Sequence, residues 1–464
     1  MIGAGPRPAA VAIVGGGLSG LAAAESLATS GANVRLTLIE AKRVAGGRTG
    51  SFEVGDGPPV DYCQHVAMGC CGELLALMRR AELIRYWRRD DELWFVHARG
   101  ESPPSRFAVS RWLPPPLHLL PAAWAMRYLT WGEKCRLAWA VGRLLRLDEP
   151  ELRRHTAGDW LRRAKQTDRV VRRFWEPVLV SALGESIERV SMGPARKVIV
   201  EGFAASPEAS NVWVPNRPLS EIFGRRLVDH VRGLGVEIRT GTTVKTIGRR
   251  TAPVRIDDQR STVEPLDVDG EAFDAVVLAV PWYRWKSILA TSLAASVPRL
   301  DDIAAVAGSP ITGLHLWFDR PVLSRPHVVL LEGVAHWLFD DPTEQTETAS
   351  RRHYVQAVIS AACSIRDRTK LIEAVVDEVR GLDAAVAAPG GNAAAALVDA
   401  RVVTDPRSVF AVTPQTESVR PNTRSKHPRL FLAGDIVSTG WPATMEGAVI
   451  GGRAAAAAIL DRFG

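Results

Sequence analysis

The sequence lacks the features that mark several classes of protein. Its 464 residues include only five cysteines, irregularly spaced and without a paired CxxC arrangement, so neither a disulfide scaffold nor a zinc or other metal site is predicted. No apolar run reaches the roughly 20 residues that a membrane-spanning helix needs. The first ten residues lack the charged start and long apolar segment of a signal peptide. These absences predict a cytoplasmic protein.

What the sequence does contain is an ordinary globular composition. Hydrophobic residues make up 46% and charged residues 23% of the chain, enough apolar material for two or three packed units. The formal charge of +7 invites a polyanionic partner. Arginine, however, outnumbers lysine throughout the chain and no nucleic-acid-binding signature accompanies it, so no nucleic-acid partner is predicted.

The N-terminal region has the pattern of a βαβ unit. VAIVGGG is a short apolar run that ends in glycines, LSGLAAAESLATSG has helical spacing and a glycine stop, and NVRLTLIE is a second strand. Segments typical of strands, AFDAVVLAVP and RLFLAGDIV, return much later in the chain. The predicted fold class is therefore α/β, with a discontinuous Rossmann-like dinucleotide-binding domain and an inserted mixed α+β substrate domain.

The predicted domains divide the chain into five stretches. Residues 1–75, 216–290 and 421–464 are expected to form the dinucleotide-binding domain. Residues 76–215 form a mainly helical insertion that holds nine of the fourteen tryptophans, and residues 291–420 add strands, such as ITGLHLWFD and HYVQAVIS, and a helix. Distant parts of the chain must then meet at one cofactor site.

The glycine pattern after the first strand indicates how such a cofactor is held. Gly15, Gly17 and Gly20 form GxGxxG, and Glu40 closes the second strand. The first glycine allows a tight turn, the second lets the backbone approach a pyrophosphate, and the third lets helix and strand pack. The helix N-terminus offers N–H groups to the anion, and the acid takes a ribose hydroxyl.

A second glycine segment follows directly and carries a family resemblance. Gly46, Gly47 and Arg48 form a loop that can bring a guanidinium to the diphosphate. A GxGxxG unit that ends in Glu and precedes GGR resembles the flavin-dependent amine oxidase and phytoene desaturase superfamily. The resemblance implies FAD as the cofactor. It also implies that Val244 lies at the adenine end of FAD, which relatives hold through backbone atoms.

Three further segments resemble one branch of that superfamily, the squalene-associated hydroxysqualene dehydroxylases of hopanoid synthesis. In VDYCQHVAMGCC, Asp61, Gln64 and His65 match, while Tyr62 and Cys63 replace the usual Asn and Gly. FWEPVLVSAL and VPNRPLSEIF resemble middle motifs of the same branch.

The C-terminal segment LAGDIVSTGWPATMEGAVIGGRAA gives the most specific match. A strand, a turn and a helix N-terminus there suit the ribityl phosphate and the N1/C2=O edge of a flavin. The residues expected to contact FAD here are Gly434, Asp435, Thr444 and Met445. Because no cysteine follows Cys363, a cysteinyl tether is excluded and FAD is expected to bind non-covalently.

The resemblance implies an enzyme that converts hydroxysqualene to squalene with hydride from reduced flavin. A departing hydroxyl needs an acid, and His65, Asp61 and Glu446 are the candidates. Tyr62 and Trp441 are candidate aromatic walls of the substrate pocket. The alternatives are a carotenoid-type desaturase, a flavin amine oxidase, or a non-catalytic prenyl-lipid escort. The electron donor stays open.

A long-chain isoprenoid substrate also suggests a contact with lipid. Residues 110–147 combine apolar bulk, tryptophan and Arg/Lys, and we expect them to dip into a bilayer as a peripheral contact on its cytoplasmic, inner face. A buried helical hairpin is the alternative for this stretch.

Overall fold

A computed structural model describes residues 7–54, 59–250, 264–340, 353–361, 363–390 and 393–463. Residues 1–6, part of the N-terminal segment in which no signal peptide was predicted, lie outside the described residues. Five parallel strands form one sheet. Their order across the sheet is Glu237–Arg239, Val34–Ile39, Ala9–Val14, Ala275–Leu278 and Leu430–Leu432.

The central strand of this parallel sheet connects sequence-distant parts of the chain. Ala9–Val14 pairs with Val34–Ile39 on one side and with Ala275–Leu278 on the other, and both partners are parallel to it. Leu278 is in turn paired with Leu432. The carboxyl ends of these strands therefore share one edge, which is where α/β sheets bind ligands.

Two long helices cover the parallel sheet and pack against each other. They are the glycine-turn helix, Leu18–Ala28, and the C-terminal helix, Met445–Phe463. A Cβ atom added to Gly452 would overlap the carbonyl oxygen of Ser19, so glycine is required for this close approach. The first and last parts of the described chain are thus locked together.

A seven-stranded sheet forms the second layer. Its strand order is Leu397–Phe410, Gly308–Phe318, His353–Ser360, Trp337–Asp340, His327–Leu331, Glu92–His97 and Ser105–Ala108. The two strands predicted from ITGLHLWFD and HYVQAVIS are confirmed, and they pair antiparallel. Two strands from within residues 76–215 complete the sheet at its far edge.

Smaller sheets complete the strand inventory of the described residues. Ser51–Phe52 pairs with Val60–Asp61. Three-stranded sheets are formed by Ile247–Arg249, Leu266–Val268 and Glu271–Phe273, and by Ala67–Met68, Val212–Pro215 and Trp87–Asp90.

Helices make up most of residues 110–233. Three of them contain a π-helical stretch, a feature often found at functional sites. The π stretches are Val171–Trp175, Val200–Ala204 and Ile222–Arg226, and short 3₁₀ turns cover Ile84–Tyr86, Leu117–Leu119 and Trp282–Arg284. The other α-helices are Gly72–Arg80, Leu120–Ala125, Trp131–Leu144, Glu149–Leu152, Ala157–Arg163, Asp168–Val170, Glu176–Leu183, Met192–Ile199, Leu219–Glu221, Leu227–Gly233, Trp285–Ile288, Thr291–Ala294, Leu300–Ala304, Arg368–Arg380 and Pro414–Val419.

A charged network joins the helical insertion to the seven-stranded sheet. Glu332 accepts hydrogen bonds from Arg172 and Arg173 and also contacts His97. Burial alone would raise the pKa of Glu332, but these partners lower it to about 2. His97, Glu101 and Glu332 lie close enough together to resemble a metal site, yet the guanidinium groups already neutralise Glu332.

Candidate functional site

The first glycine turn lies at the carboxyl edge of the parallel sheet. Gly15 has a φ of +112°, and a Cβ atom there would lie 2.6 Å from the carbonyl oxygen of Ala279. A Cβ atom at Gly20 would overlap the Gly15 carbonyl oxygen. Gly17 begins the following helix, and among the described residues no side chain caps it. The N-terminal N–H groups of this helix thus suit an anionic ligand.

The second glycine segment packs against the first. The Gly46 N–H donates to the Gly16 carbonyl oxygen over 2.8 Å. A Cβ atom at Gly47 would lie 3.1 Å from the Gly17 Cα. A side chain at Gly17 or Gly47 would crowd the backbone where the two glycine segments meet. Bare backbone at this point fits the approach of a diphosphate.

Glu40 lies beside the glycine turn at the end of the second strand. Its carboxylate, which is buried, accepts hydrogen bonds from the Gly16 N–H over 2.7 Å and the Lys42 N–H over 2.8 Å. The Glu40 carbonyl oxygen accepts from the Thr242 N–H over 3.0 Å. This bond brings the loop that contains the half-buried Val244 to the same end of the site.

Arg48 connects the N-terminal glycine segments to the C-terminal loop. Its guanidinium lies 2.7 Å from an Asp435 carboxylate oxygen and donates to the Ser408 carbonyl oxygen over 2.7 Å. Burial alone would lower the pKa of Arg48, but the Asp435 carboxylate raises it above its ordinary value. The guanidinium is therefore already paired, and any diphosphate contact would be shared with Asp435.

The C-terminal loop follows the edge strand Leu430–Leu432 to the same edge of the sheet. Gly434 has a φ of +117°, and a Cβ atom there would have no described atom within 4 Å, so its surroundings are open. Thr444 accepts a hydrogen bond from the Gly447 N–H over 3.1 Å, which caps the helix that begins at Met445. The first glycine turn and this loop thus lie at the same edge of the parallel sheet.

Asp61 is held at the junction of three segments. One of its carboxylate oxygens accepts from the Ser51 hydroxyl over 2.6 Å and from the Leu219 N–H over 2.8 Å. Gln356 donates to its backbone carbonyl over 3.2 Å. Burial raises the pKa of the Asp61 carboxyl to about 7 despite these hydrogen bonds. Asp61 is thus an acid that can retain a proton near neutrality.

The surroundings of His65 lower its pKa below that of an exposed histidine. Its Nδ1 lies 2.9 Å from the Cys63 carbonyl oxygen, and Gln64 donates to the His65 carbonyl over 3.2 Å. Burial lowers the pKa of His65, and the charge of Arg48 lowers it further. The buried imidazole is therefore less readily protonated than that of an exposed histidine.

Glu446 links two helices. Its carboxylate oxygens accept hydrogen bonds from the Glu73 and Leu74 N–H groups over 3.0 and 2.7 Å. These N–H groups are at the start of the helix Gly72–Arg80. Burial raises the pKa of Glu446. Both oxygens are occupied by backbone donors, so its evident contribution is to hold the C-terminal helix against the segment 60–74.

The two predicted aromatic walls have different surroundings. Tyr62 is 43% exposed and stacks on Phe52, with ring centroids 5.6 Å apart. Trp441 is half-buried and lies under the Lys197 ammonium group, 5.0 Å from its ring centroid. Lys197 also donates to Glu201 over 2.6 Å. Sequence reasoning missed Lys197, because a lysine within a helix carries no signal of this contact.

An apolar region borders the loops of the site. Ile436 and Val437 of the C-terminal loop, residues 433–441, and the following Ala443 belong to one buried cluster with Trp175 of the helical insertion. Cys63 packs against the same cluster. The loop is therefore anchored in the apolar core.

Comparisons with known proteins agree with this architecture. The family model described as flavin containing amine oxidoreductase matches residues 18–460. Cyclohexylamine oxidase from Brevibacterium oxydans superposes with a TM-score of 0.66 at 18% identity, covering 98% of this chain and 99% of that chain. The predicted α/β fold class is confirmed.

The curated relatives include two kinds of isoprenoid enzyme. The 15-cis-phytoene desaturase of Solanum lycopersicum is 24% identical over 473 residues, which are 98% of this chain and 78% of the relative. A hydroxysqualene dehydroxylase of Sinorhizobium fredii is 26% identical over 288 residues, 61% of each chain.

Proposed function

Since the chain belongs to the flavin-containing amine oxidoreductases and is an FAD-dependent oxidoreductase, we propose that it catalyses the reductive dehydroxylation of hydroxysqualene to squalene. The observation that carries this proposal is the meeting of two segments. Residues 60–71 and 432–455 both resemble the hydroxysqualene dehydroxylases, and the Glu446 carboxylate joins the second to the helix that directly follows the first. The partial similarity to the Sinorhizobium fredii enzyme supports the same conclusion.

The glycine turns, the uncapped helix N-terminus and buried Glu40 fit the diphosphate and ribose of FAD. Reduced FAD, when bound, supplies the hydride for the reaction. The residues that we propose to hold FAD, without a covalent bond, are Gly15, Gly17, Gly20, Glu40, Gly47, Arg48, Gln64, Val244, Gly434, Asp435, Thr444 and Met445.

The chain must also supply a proton, because the hydroxyl leaves as water. His65, Asp61 and Glu446 are the proposed donors, and the structure separates them by pKa. The lowered pKa of His65 leaves its imidazole neutral at pH 7, whereas burial raises the pKa of both carboxyl groups. If Asp61 is the donor, the rate falls as pH rises through about 7. If His65 is the donor, the rate falls as pH rises through a value below the ordinary histidine pKa of 6.5. His65→Ala then loses turnover while FAD binding is retained.

Product analysis tests the reaction. The purified protein with photoreduced FAD and hydroxysqualene is expected to give squalene, identified by mass spectrometry. A matched sample of Glu40→Gln protein, which is expected to bind FAD more weakly, shows whether squalene formation depends on bound FAD. Absence of squalene from a flavin-loaded wild-type sample would reject the proposal.

A phytoene-type desaturase is the second candidate, because the relative of Solanum lycopersicum covers nearly the whole chain. Phytoene and an electron acceptor replace hydroxysqualene in that assay, and a desaturated product would favour this candidate. An amine substrate tests the amine oxidase alternative in the same way. Membership of an oxidoreductase family speaks against the non-catalytic escort.

We further propose that the protein meets its isoprenoid substrate at the inner face of a membrane. In the part of the chain that the structure describes, no helix is long and apolar enough to cross a bilayer. Seven of the eleven large hydrophobic side chains that are exposed among described residues lie between Trp112 and Trp139. We call residues 110–147 the tryptophan-rich surface.

The tryptophan-rich surface has the chemistry of an interfacial contact. The helix Trp131–Leu144 buries Leu137, Ala140 and Leu144, whereas Trp131 and Trp139 on it are more than half exposed. The surface contains six basic residues and one acidic residue, Glu133. Glu133 is buried and paired with Arg169. Exposed tryptophan with excess positive charge suits anionic lipid.

A further inference from the structure

Arg420 is a buried arginine that lies beneath the C-terminal loop, residues 433–441. It follows the short helix Pro414–Val419, and its side chain is only 2% exposed. The guanidinium donates hydrogen bonds to four backbone carbonyl oxygens of this loop. The acceptors are Asp435 at 3.1 Å, Ile436 at 3.2 Å, Val437 at 2.8 Å and Trp441 at 2.6 Å.

The charge of this guanidinium is balanced on its other side. Glu417, also buried, accepts a hydrogen bond from Nη1 of Arg420 over 3.0 Å. The ring of Phe410 lies 5.2 Å from the guanidinium carbon. A buried ion pair is costly to form unless its remaining donors are satisfied, and here the loop carbonyls satisfy them. Loss of the guanidinium would remove one donor from each of those carbonyls.

The loop that Arg420 organises carries residues on which the cofactor proposal depends. Gly434 and Asp435 are at its beginning and Trp441 is at its end. Asp435 is fixed twice, because Arg48 binds its side chain and Arg420 binds its backbone carbonyl. The Ser438 N–H also donates a hydrogen bond to the Pro421 carbonyl oxygen over 2.8 Å. Contacts within the protein therefore fix the shape of this loop.

We propose that Arg420 is a positioning residue for FAD, which holds residues 433–441 in the shape that receives the flavin half of the cofactor. A loop that is shaped before binding avoids the entropy cost of ordering it on binding. The role depends on FAD binding alone and holds whichever substrate the enzyme reduces or oxidises. Failure of the hydroxysqualene assay would therefore leave it untouched.

The test compares the affinities of FAD and ADP for the apoprotein. ADP contains the adenosine diphosphate half of FAD, which the Gly15 turn and Glu40 are proposed to hold, and lacks the flavin. Arg420→Lys keeps the positive charge beside Glu417 but loses the planar fork that reaches several carbonyls. We expect FAD affinity to fall at least about tenfold, while ADP affinity changes by less than about twofold.

A matched control and a spectroscopic readout complete the experiment. Arg424 lies in the same segment, is 54% exposed and pairs with Asp461, so Arg424→Ala is expected to bind FAD as the wild type does. At saturating FAD, Arg420→Lys is expected to show an altered visible circular dichroism spectrum of the flavin. If Arg420→Lys does not fold, the pair Arg420→Gln with Glu417→Gln removes both charges and is measured in the same way.

Unchanged FAD affinity with an unchanged flavin spectrum would overturn the proposal. A parallel loss of FAD and ADP binding would also overturn it, because Arg420 would then support the fold as a whole.

Discussion

Glu40 has a structural role in addition to the ribose contact proposed for it. The sequence predicts its contact with a ribose, but it does not predict that the carboxylate accepts hydrogen bonds from the Gly16 and Lys42 N–H groups. Removal of the whole side chain would leave these N–H groups without an acceptor, at a cost of about 1–3 kcal/mol for each one that stays buried. A substitution that keeps the shape of the side chain is therefore the cleaner test.

We expect Glu40→Gln to weaken FAD binding about tenfold and to cost about 1–3 kcal/mol of stability, because the amide oxygen can accept from only one of the Gly16 and Lys42 N–H groups and the charge that favours the ribose contact is lost. Flavin content after gel filtration and urea unfolding of the apoprotein are the two measurements. Glu271→Gln, at an exposed site paired with Arg239, is the control. Wild-type flavin content in Glu40→Gln would remove Glu40 from the ribose role.

Asp61 links stability to pH in an unusual direction. Its pKa in the folded protein is raised to about 7 from an ordinary value of 3.8. The native state therefore binds the proton more tightly than the unfolded chain, so the contribution of Asp61 to stability is full below about pH 4 and is lost as pH rises through about 7.

Asp61→Asn should remove this dependence, because an amide does not titrate over this range. The difference in unfolding free energy between variant and wild type is expected to shift in favour of the variant between pH 4 and pH 8, as measured by urea titration at several pH values. A difference that stays constant across that range would show that Asp61 is ionised at all of these pH values.

Gly20 shows what a short motif can reveal, because its close contact is with the Gly15 carbonyl oxygen of the same motif. The surroundings of Glu446 and Arg420 could not be predicted, because their partners come from other segments. Burial, which lowers the pKa of His65, is likewise a property of the assembled fold.

Among the elements, the glycine-turn helix and the C-terminal helix make a close contact that is sensitive to substitution. A Cβ atom at Gly452 would overlap the Ser19 carbonyl oxygen, so the helices must separate to accommodate it. We expect Gly452→Ala to cost about 1–3 kcal/mol of stability and to reduce FAD retention.

Urea unfolding and flavin content measure both effects. Ala457→Val adds bulk at an exposed position of the same helix. It is expected to change neither stability nor flavin content by much. Wild-type stability of Gly452→Ala would show that this helix contact is loose.

The strands were harder to predict than the helices. Leu397–Phe410 is the longest strand, yet its sequence lacks a clear apolar alternation and contains Asp405 and Pro406. It lies at the edge of the seven-stranded sheet, where proline and charge are tolerated. Antiparallel pairing with Gly308–Phe318 stabilises this strand, although its own sequence pattern does not indicate one. Local periodicity does not reveal which distant strands pair.

The molecule as a whole presents its exposed tryptophans in one stretch of sequence. We expect it to co-sediment with vesicles that contain phosphatidylglycerol and to bind pure phosphatidylcholine vesicles more weakly. Trp112 is 95% and Trp124 is 70% exposed, so the double variant Trp112→Ser/Trp124→Ser should lower vesicle binding about tenfold or more without loss of FAD.

Val398→Ser is the matched control, since Val398 is 45% exposed and lies outside the tryptophan-rich surface. Equal vesicle binding by wild type and the double variant would exclude this surface as the lipid contact.

The contact of Gly452 with Ser19 has a consequence for biosynthesis. The C-terminal loop and helix are the last of the described elements to leave the ribosome, whereas the first glycine turn is among the earliest. With the FAD contacts proposed above, the nascent polypeptide therefore cannot complete its flavin site before residues 434–452 have been synthesised. Any product of premature termination before residue 434 should emerge colourless.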